Sequence, residues 1–156
     1  MFPSPFPETI SFFCAELSTP PVFPLLPEEE IFLKKLSSTR RQTEFSQGRS
    51  CAHQALAKFK LESEPITRNA ETREPCWPES VRGSITHSGE YAAAAVGLAA
   101  DVSGIGIDLE NLSRVVDFNI SRHVCVEQEL EWLKTLSPTK ANQGLRIIFS
   151  AKESIF

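Results

Sequence analysis

The sequence predicts an α+β fold in which a small, mostly antiparallel sheet packs on a long helix. Three observations predict it. Apolar residues recur at helical spacing through residues 37–61. Two strand-like segments, Val81 to His87 and Tyr91 to Leu98, flank a Ser88-Gly89-Glu90 turn. The first 27 residues carry seven of the eleven prolines and five of the eleven phenylalanines, which excludes helix there.

The elements follow in order. Thr9 to Leu17 alternates in the manner of a strand. Pro27 followed by Glu28, Glu29 and Glu30 reads as a helix start, because proline suits the first turn and acids suit the positive end of the dipole. That helix is expected over Glu28 to Leu36. Ser37 or Ser38 then caps a longer helix running to about Leu61, with Phe45, Ala52, Leu56 and Phe59 facing the core. Residues 62–80 are polar and proline-bearing, hence loop. After the 81–98 hairpin, Gly104 to Glu110 reads as a third strand. Glu127 to Leu136 is a helix with Leu130 and Leu133 inward, and Gly144 to Phe156 begins another.

Composition narrows the function classes. The chain has 156 residues and a net charge of −4, which argues against a general nucleic-acid binder. No run of about 18 apolar residues exists to span a membrane, and no secretory signal is visible. Cys14, Cys51, Cys76 and Cys125 form no CxxC pair, so zinc or redox chemistry has no support, and a reducing cytoplasmic setting is expected.

Four features carry chemistry. In Gly104-Ile105-Gly106-Ile107-Asp108-Leu109-Glu110 a strand would place both carboxylates on one face, roughly 6.7 Å apart along it. A divalent cation between them would relieve their repulsion, and Mg²⁺ takes one or two carboxylates plus phosphate oxygens. Thr86, His87 and Ser88 close a strand and offer donors to a phosphate. Arg41 and Arg49 stand eight residues apart on a helix, about 12 Å along its axis and turned by about 80°. Arg73 is a further candidate in a loop. Glu153, one turn after Phe149, is expected to lean inward beside Lys152 as a metal ligand or general base. Each feature alone also fits an ordinary surface helix or strand end.

Together and in this order, the features resemble the 4′-phosphopantetheinyl transferase superfamily, nearest to its siderophore branch, the enterobactin synthetase component D type. The matching runs are Arg41 to Ala52, Arg73 to Pro78, Gly83 to Ser88, Gly104 to Glu110 and Phe149 to Ser154. The resemblance implies a fold of two similar halves, here residues 1–103 and 104–156. The family pattern continues with a further lysine past the Lys-Glu pair, so the second pseudo-repeat is expected to be incomplete at the C-terminus.

The resemblance also implies a Mg²⁺-dependent enzyme that moves the phosphopantetheine arm of coenzyme A onto a serine of an acyl or peptidyl carrier protein. Siderophore or other nonribosomal peptide biosynthesis is the expected setting. Asp108, Glu110 and Glu153 would hold the metal. Arg41, Arg49, Arg73, Thr86, His87, Asp108 and Glu153 would contact coenzyme A. Glu153, Lys152 and Asp108 would serve the chemistry, with Glu153 as base and Lys152 neutralising the leaving phosphate. Two alternatives stand beside this reading: a remnant that only binds coenzyme A or a carrier protein, and an unrelated metal-dependent phosphohydrolase.

Overall fold

The computed structural model describes residues 4–111 and 117–155. Their contacts divide the chain into two compact units, Met1–Leu109 and Glu110–Phe156.

The first unit contains strand β1 (Ile10–Glu16), helices α1 (Pro27–Leu33) and α2 (Thr39–Ala57), the short strands β2 (Thr67–Arg68) and β3 (Pro75–Cys76), and the hairpin β4 (Val81–Ser88) and β5 (Tyr91–Leu98). Strands β1, β5 and β4 form an antiparallel sheet in that order, with β5 in the centre. The hairpin register pairs Ser88 with Tyr91 and Ile85 with Ala94.

Helix α2 packs on one face of this sheet. Cys51, Ala52, Ala55 and Leu56 from the helix meet Val81, Ala94 and Val96 from the strands, with Ile85 and Phe13 packed against them. At Gly48 the helix comes so close to β4 that a Cβ there would stand 2.9 Å from the Ile85 side chain. This explains the alanines of β5, which prefer helix in isolation. Ala92 to Ala95 are fully buried, and only small side chains admit close layers on both faces of a central strand.

The second face is covered by residues 102–109. Val102 and Ile105 reach the sheet at Gly97, where a Cβ would meet their side chains at 3.1 and 3.2 Å. The sequence expectation of a third strand at Gly104 to Glu110 is corrected here. The segment is extended but joins no ladder. Its backbone N–H groups at Ile107 and Leu109 donate instead to the Ser84 and Thr86 hydroxyls, at 3.2 and 3.3 Å. Side-chain hydroxyls on one face of β4 thus replace the carbonyls that a neighbouring strand would offer.

Two further expectations change. Helix α2 stops at Ala57 rather than near Leu61, because Lys60 adopts a φ of 61° and Leu61 N–H turns back to the Leu56 carbonyl. Ser38 occupies the N-cap position without a side-chain bond. The stretch 62–80 is not all loop, since β2 and β3 pair Thr67 with Cys76 and Arg68 with Pro75.

The second unit contains a 3₁₀ turn (Phe118–Ile120) and helices α3 (Ser121–Val124), α4 (Glu127–Lys134) and α5 (Pro138–Glu153). Leu133 is buried as expected and Leu130 is half-buried. Helix α5 begins six residues before the predicted Gly144, at a legible signal: Ser137 at the N-cap and Pro138 in the first turn. Phe156, the predicted end of that helix, lies outside the described residues. Among the described residues no helix is long and apolar enough to cross a membrane.

Candidate functional site

Helix α2, helix α1 and the β2–β3 hairpin enclose a cleft of about 420 Å³. Its lining includes Arg41, Arg49, Arg73 and His87 from the predicted set, with Arg68, Glu44, Phe32 and Phe45 beside them. The helical spacing of Arg41, Phe45 and Arg49 sets three of these on one face of α2. Phe45 therefore belongs to the cleft, not to the core as expected; its ring stands 5.1 Å from that of Phe32.

Arg49 is the buried cation of the cleft, 6% exposed. Burial lowers its pKa to about 10, the carboxylate of Glu29 opposing that fall and the nearby Arg68 adding to it. Its guanidinium carbon lies 4.8 Å from the Phe45 ring centroid, one Nη donates to the Thr67 carbonyl at 3.4 Å, and Nε lies 3.9 Å from Glu29 Oε1.

Glu29 is itself buried and takes hydrogen bonds from three directions. Leu26 N–H and Ile66 N–H each donate at 3.0 Å, and His53 Nε2 lies 3.0 Å from Oε1. Burial pushes its carboxyl pKa up, but the His53 and backbone bonds outweigh this, so the net shift is downward. Glu29 thus ties α1, α2 and the entry to β2 around Arg49. Sequence reading treated it only as a first-turn acid.

Arg73 reaches the cleft from a left-handed backbone position, with a φ of 67°. The turn before it is built by Asn69, whose side-chain oxygen accepts from Glu71 N–H and Thr72 N–H at 2.8 and 3.1 Å. Arg68 Nε donates to the Arg73 carbonyl at 2.6 Å and completes the turn. Arg68 was missed in the sequence because its stretch reads as polar loop; the signal was Asn69 between two arginines.

His87 is exposed, with Nδ1 3.7 Å from Glu44 Oε2. Thr86 points to the opposite face of β4, as the next residue of a strand must. There its hydroxyl donates to Asp108 Oδ1 at 3.2 Å and accepts from Leu109 N–H. The pair Thr86 and His87 therefore does not share one surface. The second Asp108 oxygen, Oδ2, is buried without a hydrogen-bond partner among the described residues. An orphaned carboxylate oxygen is the donor type that a hard divalent cation takes.

The remaining candidates lie in the second unit, where Glu110 is half-buried. Glu153 is exposed, which corrects the expected inward lean. The inward stripe of α5 runs through Ala141, Leu145, Ile148 and Lys152, and Glu153 stands about 100° away from it. Lys152 takes the inward place. Its Nζ donates to the Val124 carbonyl and to Glu129 Oε2, both at 2.6 Å. Glu129 has a lowered pKa, chiefly from that hydrogen bond. Among the described residues no three His, Cys, Asp or Glu side chains gather into a ready metal site.

Known proteins match the sequence along most of the chain. Residues 28–97 match the 4′-phosphopantetheinyl transferase N-terminal domain, and residues 104–156 match the 4′-phosphopantetheinyl transferase superfamily. This chain belongs to the 4′-phosphopantetheinyl transferase superfamily. It is 36% identical to 4′-phosphopantetheinyl transferase Svp of Streptomyces mobaraensis, over 87% of this chain and 54% of that protein. It is 34% identical to 4′-phosphopantetheinyl transferase PptT of Mycobacterium tuberculosis, over 91% of this chain and 61% of the relative. Enterobactin synthase component D of Escherichia coli K12 is 34% identical over 75% of this chain and 54% of its own length. The chain thus spans somewhat more than half the length of the curated relatives it matches. Within the superfamily match, the arginine cleft falls inside the N-terminal domain and Asp108 inside the 104–156 region.

Proposed function

We propose that this chain is a phosphopantetheinyl transferase that takes coenzyme A and modifies a serine of an acyl or peptidyl carrier protein. The observation that carries this reading is the cleft where Arg41, Arg49, Arg68 and Arg73 converge. Arg41 and Arg73 have no ion pair among the described residues, so the cleft holds cations suited to a polyphosphorylated nucleotide. Likeness to enterobactin synthase component D supports a carrier in siderophore or other nonribosomal peptide biosynthesis, and the setting we propose is cytoplasmic.

In this reading Arg41, Arg49, Arg73 and His87 hold the nucleotide phosphates. Asp108, with Glu110 and Glu153, would hold Mg²⁺, and the unpartnered Asp108 Oδ2 supports that fit. When bound, the ion supplies charge screening at the diphosphate. Glu153, exposed at the end of α5, would take the proton of the carrier serine. The serine oxygen bonds to the phosphorus that bears pantetheine, and 3′,5′-ADP leaves with the electron pair of the broken P–O bond. Lys152 is not free to neutralise that leaving group while it bonds Glu129.

The committed state of Lys152 also favours a second reading, in which the chain binds coenzyme A or a carrier protein without transferring the arm. One experiment separates the two. The chain is incubated with coenzyme A, Mg²⁺ and a panel of apo-carriers, and the added arm is read by intact mass beside calorimetric titration of coenzyme A. Mass gain on a carrier supports transfer. Binding without mass gain supports the second reading, and the absence of both overturns the coenzyme A assignment.

A further inference from the structure

The cleft contains an ordered stack. The Arg68 guanidinium carbon lies 4.7 Å from the Phe32 ring centroid. The Phe32 and Phe45 centroids are 5.1 Å apart with planes at 40°. Phe45 in turn receives the Arg49 guanidinium at 4.8 Å. The order is cation, ring, ring, cation, and all four side chains line the cleft. Three elements supply it: α1 gives Phe32, α2 gives Phe45 and Arg49, and β2 gives Arg68.

The stack fixes Arg68 without using up its donors. One guanidinium face rests on Phe32, and Nε is spent on the Arg73 carbonyl. Both Nη groups are without a protein partner among the described residues. A planar fork held in this way suits two oxygens of one phosphate. The surrounding charges point the same way. Burial and the neighbouring Arg73 both disfavour the Arg68 cation. The carboxylates at hand are engaged elsewhere, Glu29 with His53 and Arg49, and Glu44 with Arg40 and His87. Arg68, placed beside other arginines and paired with no carboxylate among the described residues, is stabilised when an anion arrives.

The side of the sheet decides which anion. In the coenzyme A reading, on which this inference rests, the diphosphate belongs beside Asp108, on the Thr86 face of β4. His87 and the arginine cleft lie on the opposite face. Strand β4 is an outer strand of its sheet, so a ligand can pass around its edge. The cleft therefore receives the other phosphate, the monoester on the ribose, with its three terminal oxygens and charge of roughly −1.5 to −2 at neutral pH.

We propose that Arg68, held on the face of Phe32, is a further phosphate-binding arginine of this cleft and selects ligands that carry the ribose phosphate monoester. Phe32 is then a positioning residue, because it acts through Arg68.

The test is calorimetric titration of the 156-residue chain without metal. The ligands are coenzyme A, dephospho-coenzyme A and 3′,5′-ADP. The proteins are the unaltered chain, Arg68→Met, Arg68→Lys and Phe32→Leu, each checked by thermal melting. The unaltered chain is expected to prefer coenzyme A and 3′,5′-ADP over dephospho-coenzyme A. Arg68→Met should weaken both preferred ligands about tenfold, the size of one charge-assisted contact, and leave dephospho-coenzyme A unchanged. Arg68→Lys should recover part of the preference, and Phe32→Leu should erode it severalfold. A preference that survives Arg68→Met overturns the proposal, as does an equal loss for all three ligands. If Arg68→Met fails to fold, the ratio in Arg68→Lys and Phe32→Leu decides: unchanged there, the proposal falls. An unaltered chain that binds none of the ligands overturns the coenzyme A reading itself, whereas tight binding with an Arg68-independent ratio overturns this inference alone.

Discussion

Thr86 Oγ1 donates to Asp108 Oδ1 at 3.2 Å across the face of β4 that turns away from helix α2. The same hydroxyl accepts from Leu109 N–H at 3.3 Å, so one small side chain orients the carboxylate and pins the segment that carries it. Asp108 Oδ2 is left buried and unpartnered among the described residues.

Thr86→Val keeps the shape and removes both bonds. It should cost about 1–2 kcal/mol of stability, the usual loss when a buried group goes unpaired. It should also weaken Mg²⁺ dependence of any transfer, because Asp108 loses its orienting donor. Urea melts and metal titrations of activity check the two effects separately. Asp108→Ala should abolish Mg²⁺-dependent transfer altogether; normal turnover in that variant removes the metal role.

Glu29→Gln places an amide where three donors converge, and should destabilise the first unit by about 3 kcal/mol, as loss of one partner does in a buried charged network. The pH dependence follows from the lowered pKa of Glu29, whose ordinary value is 4.5. A carboxylate with a depressed folded pKa contributes stability that is present above its unfolded pKa and lost as pH falls through the folded one. Acid melts of the unaltered chain should therefore lose stability below about pH 4.5. Glu29→Gln should show a shallower decline over the same range.

Arg73 stands at a φ of 67°, a conformation that glycine adopts without strain. Arg73→Gly should raise stability by roughly 0.5 kcal/mol, the relieved left-handed strain exceeding the entropy that glycine loses on folding. The same change should weaken coenzyme A binding, since the cleft loses a cation. Opposite signs in a denaturant melt and a titration are the expected outcome; a loss of stability would show that the Arg73 side chain supports the hairpin.

Lys152→Met should lower the melting temperature through loss of the bonds to Val124 and Glu129. Glu129→Gln should lower it less, because the Val124 carbonyl still accepts from Lys152. If Lys152→Met melts unchanged yet abolishes transfer, the lysine serves chemistry and its pairing with Glu129 is incidental.

Much of the cleft was legible in the sequence. Arg41 and Arg49 meet there because eight residues leave them turned by only about 80° on the helix, and His87 because the strand alternates. Arg68 was not legible, since a two-residue strand leaves no periodicity to read. Glu153 was misjudged from its distance to Phe149. The buried stripe of α5 runs through Leu145 and Lys152, and one position of offset turns a side chain by about 100°.

Local sequence by itself determined where helices begin and where the chain turns. Pro27 and Pro138 start helices, and Gly89 closes the β4–β5 hairpin, because backbone sterics act within a few residues. Tertiary structure alone decided that residues 104–109 cover the sheet without joining it. That choice depends on hydroxyls at Ser84 and Thr86, some twenty residues earlier, which satisfy the backbone donors of Ile107 and Leu109. No local pattern encodes a hydrogen-bond partner supplied from so far along the chain.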